Sequence, residues 1–123
     1  MTHDVASATN TLMGRPSGTV AFLFSDLQGS TELLRTLGDD YTRLIAEQGR
    51  VVGDACIAEG GRVVDSQGDS FFVVFPRVRE AAAAAANAQR KLAEHPWPGE
   101  ARVRVRMGVH AGEPLVSRSE ERR

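Results

Sequence analysis

Phe24-Ser25-Asp26-Leu27-Gln28-Gly29-Ser30-Thr31 joins an apolar run to a polar turn and the start of a helix. The stretch just before it, Thr19 to Phe24, reads as a strand that is apolar on both faces, the pattern of a central strand covered on both sides. Asp26 therefore falls at the strand's carboxyl end. Gly29 permits a tight turn, and Ser30 or Thr31 is placed to cap the helix that Glu32-Leu33-Leu34 begins. A helix start offers unpaired backbone N–H groups to an anion, and a carboxylate beside it suits a hard divalent cation. The plain alternative is that Asp26 serves only as a helix cap.

Working outward, residues 1–17 lack periodicity and end in Gly14-Arg15-Pro16-Ser17, so they read as a flexible leader in which His3 has no companion. Downstream, a short helix from about Ser30 stops at Gly38, and Asp39 or Asp40 caps a longer one. Its apolar positions, Tyr41, Leu44, Ile45, Val51, Val52, Ala55 and Cys56, recur at helical spacing, with Gln48 and Gly49 as the weak point. Gly60-Gly61 ends that helix. Arg62-Val63-Val64 and Phe71 to Phe75 are β-rich runs on either side of Asp65-Ser66-Gln67-Gly68-Asp69-Ser70, whose Gly-Asp pair favours a hairpin. Asp69 then lies at the hairpin tip or just inside the second strand, and Phe71, Phe72 and Phe75 read as hairpin core. A helix from Arg79 to about Glu94 carries the alanine run Ala81 to Ala86, small enough to approach a sheet closely, and His95 reads as a helix-end residue. A last strand alternates Arg102, Arg104 and Arg106 with Val103, Val105, Met107 and Val109. Its arginine face is either solvated or available to a phosphate or a partner. The tail from Ser117 is charged and patternless.

Composition narrows the classes. With 123 residues, 41% of them hydrophobic, the chain suits one small globular domain. A formal charge of -1 gives no strongly basic face for nucleic acid. Cys56 is the sole cysteine, so neither an internal disulfide nor a cysteine-rich zinc site is available, in keeping with a reducing cytosol. No run approaches the roughly 20 apolar residues that span a membrane, and Met1 to Ser7 lack a signal pattern. The reading is a cytoplasmic protein with no nucleic-acid or membrane partner.

The order strand, helices, hairpin, helix, strand is the split βαβ, ferredoxin-like arrangement of an α+β fold: an antiparallel-rich sheet with helices on one face. That topology sets the first strand beside the hairpin, so the Asp26 end and the Asp69 turn meet at one sheet edge. Two carboxylates beside a helix start form a kit for divalent ions and a triphosphate, since two metals about 3.5–4 Å apart activate one oxygen and neutralise another in phosphoryl or nucleotidyl transfer. Used structurally, the same residues are a cap and a turn residue.

Four segments taken together are more specific than spacing. Gly18 to Thr31, Gly60-Gly61-Arg62-Val63-Val64, Gln67-Gly68-Asp69-Ser70-Phe71-Phe72 and Arg104-Val105-Arg106-Met107-Gly108-Val109-His110-Ala111-Gly112-Glu113 closely resemble the bacterial class III adenylate/guanylate cyclase catalytic domain, in order and with compatible spacing. The resemblance implies a two-metal site using Mg²⁺ or Mn²⁺ that converts ATP or GTP to a cyclic nucleotide and pyrophosphate. It matches Asp26 and Asp69 to the metal-binding aspartates, the Leu27 carbonyl to a further metal contact, and Gln28, Gly29, Ser30 and Thr31 to the phosphate cradle. Asp65 falls at a base-reading position where many adenylate cyclases have lysine. An ionised aspartate accepts hydrogen bonds but donates none, so the choice of nucleotide stays open.

The family domain continues past the His-x-Gly-Glu strand into a second half, which carries an asparagine that orients the ribose, an arginine that stabilises the transition state and a further base-reading residue. The expectation is therefore a cyclase homology domain over residues 18–115, truncated after its first half, with a charged tail over 116–123. It holds metal and triphosphate but no catalytic residue, and is inactive as an isolated chain. Family sites form between two subunits, which makes a homodimer, or a heterodimer with a full-length cyclase, the expected assembly. The competing reading is a non-catalytic dimerisation or regulatory module. A phospho-acceptor receiver conflicts with the hairpin, and a nucleic-acid-binding split βαβ domain lacks evident stacking aromatics.

Overall fold

The computed structural model describes residues 20–99 and 101–112. The leader, the tail, the domain limits at 18 and 115, and Glu113 lie outside the described residues. Strand β1 (Val20–Leu27) leads into helices α1 (Ser30–Leu37) and α2 (Asp40–Ala58). A hairpin of β2 (Arg62–Gln67) and β3 (Ser70–Phe75) follows, then helix α3 (Val78–Glu94) and strand β4 (Val105–Gly112). The four strands form one sheet in the order β2-β3-β1-β4 with every neighbouring pair antiparallel. This is the ferredoxin-like arrangement read from the sequence.

β1 carries apolar side chains on both faces, so its run is continuously apolar rather than alternating, and the helices cover one of the two. On one face Ala21, Leu23 and Leu27 join Val73, Phe75 and Val105 in a core closed by Leu44, Val51, Val52 and Cys56 of α2 and Ala81 and Ala84 of α3. On the other, Val20, Phe22 and Val74 form a smaller cluster with Val64 and Phe72. The alanines of α3 turn toward the sheet at a spacing of three and four, Ala81, Ala84 and Ala88 being buried. Burial in this core pushes the Cys56 thiol up to about 11, so it stays a neutral packing group.

The weak point of α2 is where its packing is most particular. Gly49 lies against the Phe71 ring, and an added Cβ would stand 3.4 Å from its Cζ. Gln48 is fully buried, and its Oε1 has no hydrogen-bond partner among the described residues, while its Nε2 donates to the Ile45 carbonyl at 3.4 Å. An unsatisfied buried acceptor costs about 1–3 kcal/mol. Gln48→Leu, close in shape, is expected to stabilise the chain by about 1 kcal/mol, read as a rise in thermal midpoint of roughly 4–8 °C.

Two details differ from the sequence reading. Neither α1 nor α2 has a side-chain cap. Gly29, at φ 68°, turns the chain so that Ser30 is already the first helical residue, and the Gly29 carbonyl accepts the Leu33 N–H at 3.1 Å. Regular β4 begins at Val105, not near Arg102. The Ala101 N–H donates to the Pro98 carbonyl and the Arg104 carbonyl accepts from Gln28, so the approach to β4 is tied to a turn and to the end of β1. His95 does end α3, and its Nε2 also lies 3.5 Å from Glu47 Oε2 on α2.

Candidate functional site

The site grows from the end of β1. Asp26 is directly opposite Ser70 of β3 and Arg106 of β4. One residue on, the Leu27 N–H donates to the Asp69 carbonyl at 3.0 Å, and the Gln28 N–H to the Arg104 carbonyl at 2.7 Å. These bonds clamp the strand end between the hairpin tip and the segment before β4. Asp69 is the second residue of the two-residue Gly68-Asp69 turn, made by Gly68 at φ 62°. Asp26 and Asp69, remote in sequence, thus occupy adjacent backbone positions, and strands so paired run about 5 Å apart.

A bulge turns a second acidic residue, Asp65, to the face that carries Asp26. The β2–β3 register shifts between Val63 and Asp65, and one extra residue moves every later side chain to the other face. Asp65 is consequently opposite Phe72, and Gln67 opposite Ser70. Asp26, Asp65, Gln67 and Ser70 line one cleft of about 430 Å³ with Phe24 and Phe72. Gln67 Nε2 donates to Asp65 Oδ1 at 3.3 Å. Phe72 packs in the smaller cluster on this face, its ring stacking on Phe24 and Phe22 at centroid distances of 4.7 and 5.5 Å.

The proposed phosphate cradle is partly engaged within the chain. The Gln28 N–H is taken by Arg104, whereas amides in the first turn of a helix have no intrahelical acceptor. The N–H groups of Gly29, Ser30 and Thr31 precede the first intrahelical bond, which Leu33 makes to the Gly29 carbonyl. Among the arginines of the last segment, Arg106 has a defined role: its Nη2 donates to Asp26 Oδ2 at 2.6 Å. The alternation in sequence showed a charged face but not which residue of β1 it would meet, because register is a property of the folded sheet.

No family model matches the chain. In sequence it is 36% identical over 100 residues to an uncharacterised protein of Mycobacterium tuberculosis, across 80% of this chain and 33% of that protein. It is 30% identical over 119 residues to the adenylate cyclase of Lachancea kluyveri, across 81% of this chain and 6% of that enzyme. In structure it superposes on an adenylate cyclase of Trypanosoma brucei, solved in its monomeric state, with a TM-score of 0.74 and 19% identity over 78% of this chain and 57% of that one. The chain has the adenylate/guanylate cyclase catalytic-domain fold. A second cyclase-fold neighbour, the dimeric guanylyl cyclase domain of the RhoGC fusion protein of Blastocladiella emersonii, superposes with a TM-score of 0.68 and 18% identity, across 78% of this chain and 58% of that one. The cyclase-fold chain thus spans a third of the mycobacterial relative and less than two thirds of either solved domain. Among the described residues no helix is long and apolar enough to cross a membrane.

Proposed function

We propose that Asp26, Asp69 and the Leu27 carbonyl form the metal-holding half of a nucleotide-cyclase site, with the amides of Gly29 to Thr31 as its phosphate cradle. The observation that carries this reading is the Leu27 N–H to Asp69 carbonyl bond, which brings both acidic residues to one sheet edge on a cyclase fold. The donor set fits a hard divalent ion. Its donors are carboxylate and carbonyl oxygens, and the Asp26 side chain is 47% exposed and already carries a cation, the Arg106 guanidinium. Two carboxylates without a third acidic or imidazole ligand suit Mg²⁺ or Mn²⁺, which complete their shell with water and phosphate oxygens. Such ions, when bound, neutralise the triphosphate and activate the attacking oxygen. The protein's own part is to orient the phosphates at the start of α1 and to hold the nucleotide over the cleft bearing Asp65.

On this reading residues 1–123 bind a metal–nucleoside triphosphate without turning it over, because the asparagine and arginine of the family's other half have no counterpart in the four matching segments. One missing oxyanion-stabilising donor typically costs about 10²–10³ in rate. The expected result of a sensitive cyclic-nucleotide assay with Mn²⁺ and ATP or GTP is no turnover above background. Turnover that disappears in Asp26→Ala would contradict it.

A second reading, a non-catalytic module that pairs with a full-length cyclase or with a second copy, draws on the open sheet face. Phe24 is 51% exposed there, beside Phe72 and Phe22. Co-purification with an intact cyclase, together with a changed rate, supports that role; no association at micromolar concentration opposes it.

A further inference from the structure

The Asp26 carboxylate is not presented to solvent bare. β1 and β4 pair with Asp26 directly opposite Arg106, and the two side chains, 47% and 65% exposed, close an ion pair at 2.6 Å. Opposite charges facing each other across an antiparallel pair attract, and a guanidinium keeps its charge at every working pH. The guanidinium therefore stays a cation that an incoming metal ion must displace. A divalent ion at either Asp26 oxygen would sit within a few ångströms of the guanidinium, where like charges repel. The pair is also exposed enough that opening it is cheap, so it hinders an incoming cation without barring it.

We propose that Arg106 is a built-in counter-ion for Asp26. It occupies the carboxylate in the metal-free chain, must swing away as a divalent ion enters, and so lowers the cation affinity of the site. This rests on the assignment of Asp26 as a metal ligand. It adds that a residue on the facing strand regulates access to it.

The test is a Mn²⁺ titration of the 123-residue chain without nucleotide, following free Mn²⁺ by electron paramagnetic resonance, for the unmodified protein, Arg106→Gln and Asp26→Asn. Removing the competing charge is expected to tighten Mn²⁺ binding roughly 3- to 30-fold in Arg106→Gln, while Asp26→Asn weakens it. If Arg106→Gln binds Mn²⁺ no more tightly than the unmodified chain while Asp26→Asn still weakens binding, the counter-ion role is wrong and the metal assignment stands. If Asp26→Asn leaves Mn²⁺ binding unchanged, the metal assignment fails and the counter-ion role falls with it.

Discussion

Asparagine in place of Asp26 is expected to lower the affinity for a Mn²⁺–nucleoside triphosphate by about 100-fold or more, with Asp69→Asn close behind. Groups that merely support a metal ligand are worth roughly 10–100-fold, and a ligand itself belongs at or beyond the upper end. The change is nearly isosteric, and the Asp69 carbonyl that accepts the Leu27 N–H at 3.0 Å is main chain, so the clamp between β1 and the hairpin survives both substitutions. The lost Asp26–Arg106 pair is largely exposed, and such pairs contribute about 0–1 kcal/mol. Thermal unfolding separates the two effects. Without ligand the variants melt within a few degrees of the parent. With metal and nucleotide, the parent alone gains the stabilisation of about 2.7 kcal/mol that a ligand at a hundred times its dissociation constant confers.

The second large effect is on the fold. Phe75 is fully buried in the main core, and its ring fills the space that a side chain at position 61 would need: a Cβ on Gly61 would come within 2.6 Å of Phe75 Cε2 and 2.9 Å of the Cys56 carbonyl. Gly61 and Phe75 are therefore one packing unit, linking the end of α2 to the end of β3. Phe75→Ala is expected to cost about 3–5 kcal/mol, a large share of the roughly 5–15 kcal/mol that stabilises a domain. Urea unfolding followed by circular dichroism reads the loss as a lower midpoint at unchanged slope. A change below about 1 kcal/mol would mean that the ring is not the keystone described.

Much of this arrangement was legible in the residues. The apolar run of β1, the Gly-Asp turn and the alanine face of α3 are local signals, and they led to the observed strand order because short connections leave few ways to bury such elements. What was illegible depended on register. No pattern marks Val64 as the extra residue that turns Asp65 toward Asp26, and nothing along the chain distinguishes Arg106 from Arg102 or Arg104 until β4 lies against β1. The cap expected from Ser30 or Thr31 gave way to Gly29 because a left-handed glycine already makes the turn. Gln48 and Gly49 looked like a defect in α2 as a helix; Gly49 proves to be the place where the Phe71 ring fits.

The most direct measurement of whether Asp26 and Asp69 serve one cation is the Mn²⁺-induced broadening of amide resonances in a ¹⁵N-labelled sample. Substoichiometric Mn²⁺ with a nucleoside triphosphate should erase the signals of residues 26–31 and of residues 68–70 together, and leave those of Asp40 and Asp54 on the outer surface of α2 intact. Broadening at only one of the two segments, or spread over the acidic positions of α2, would contradict a shared site.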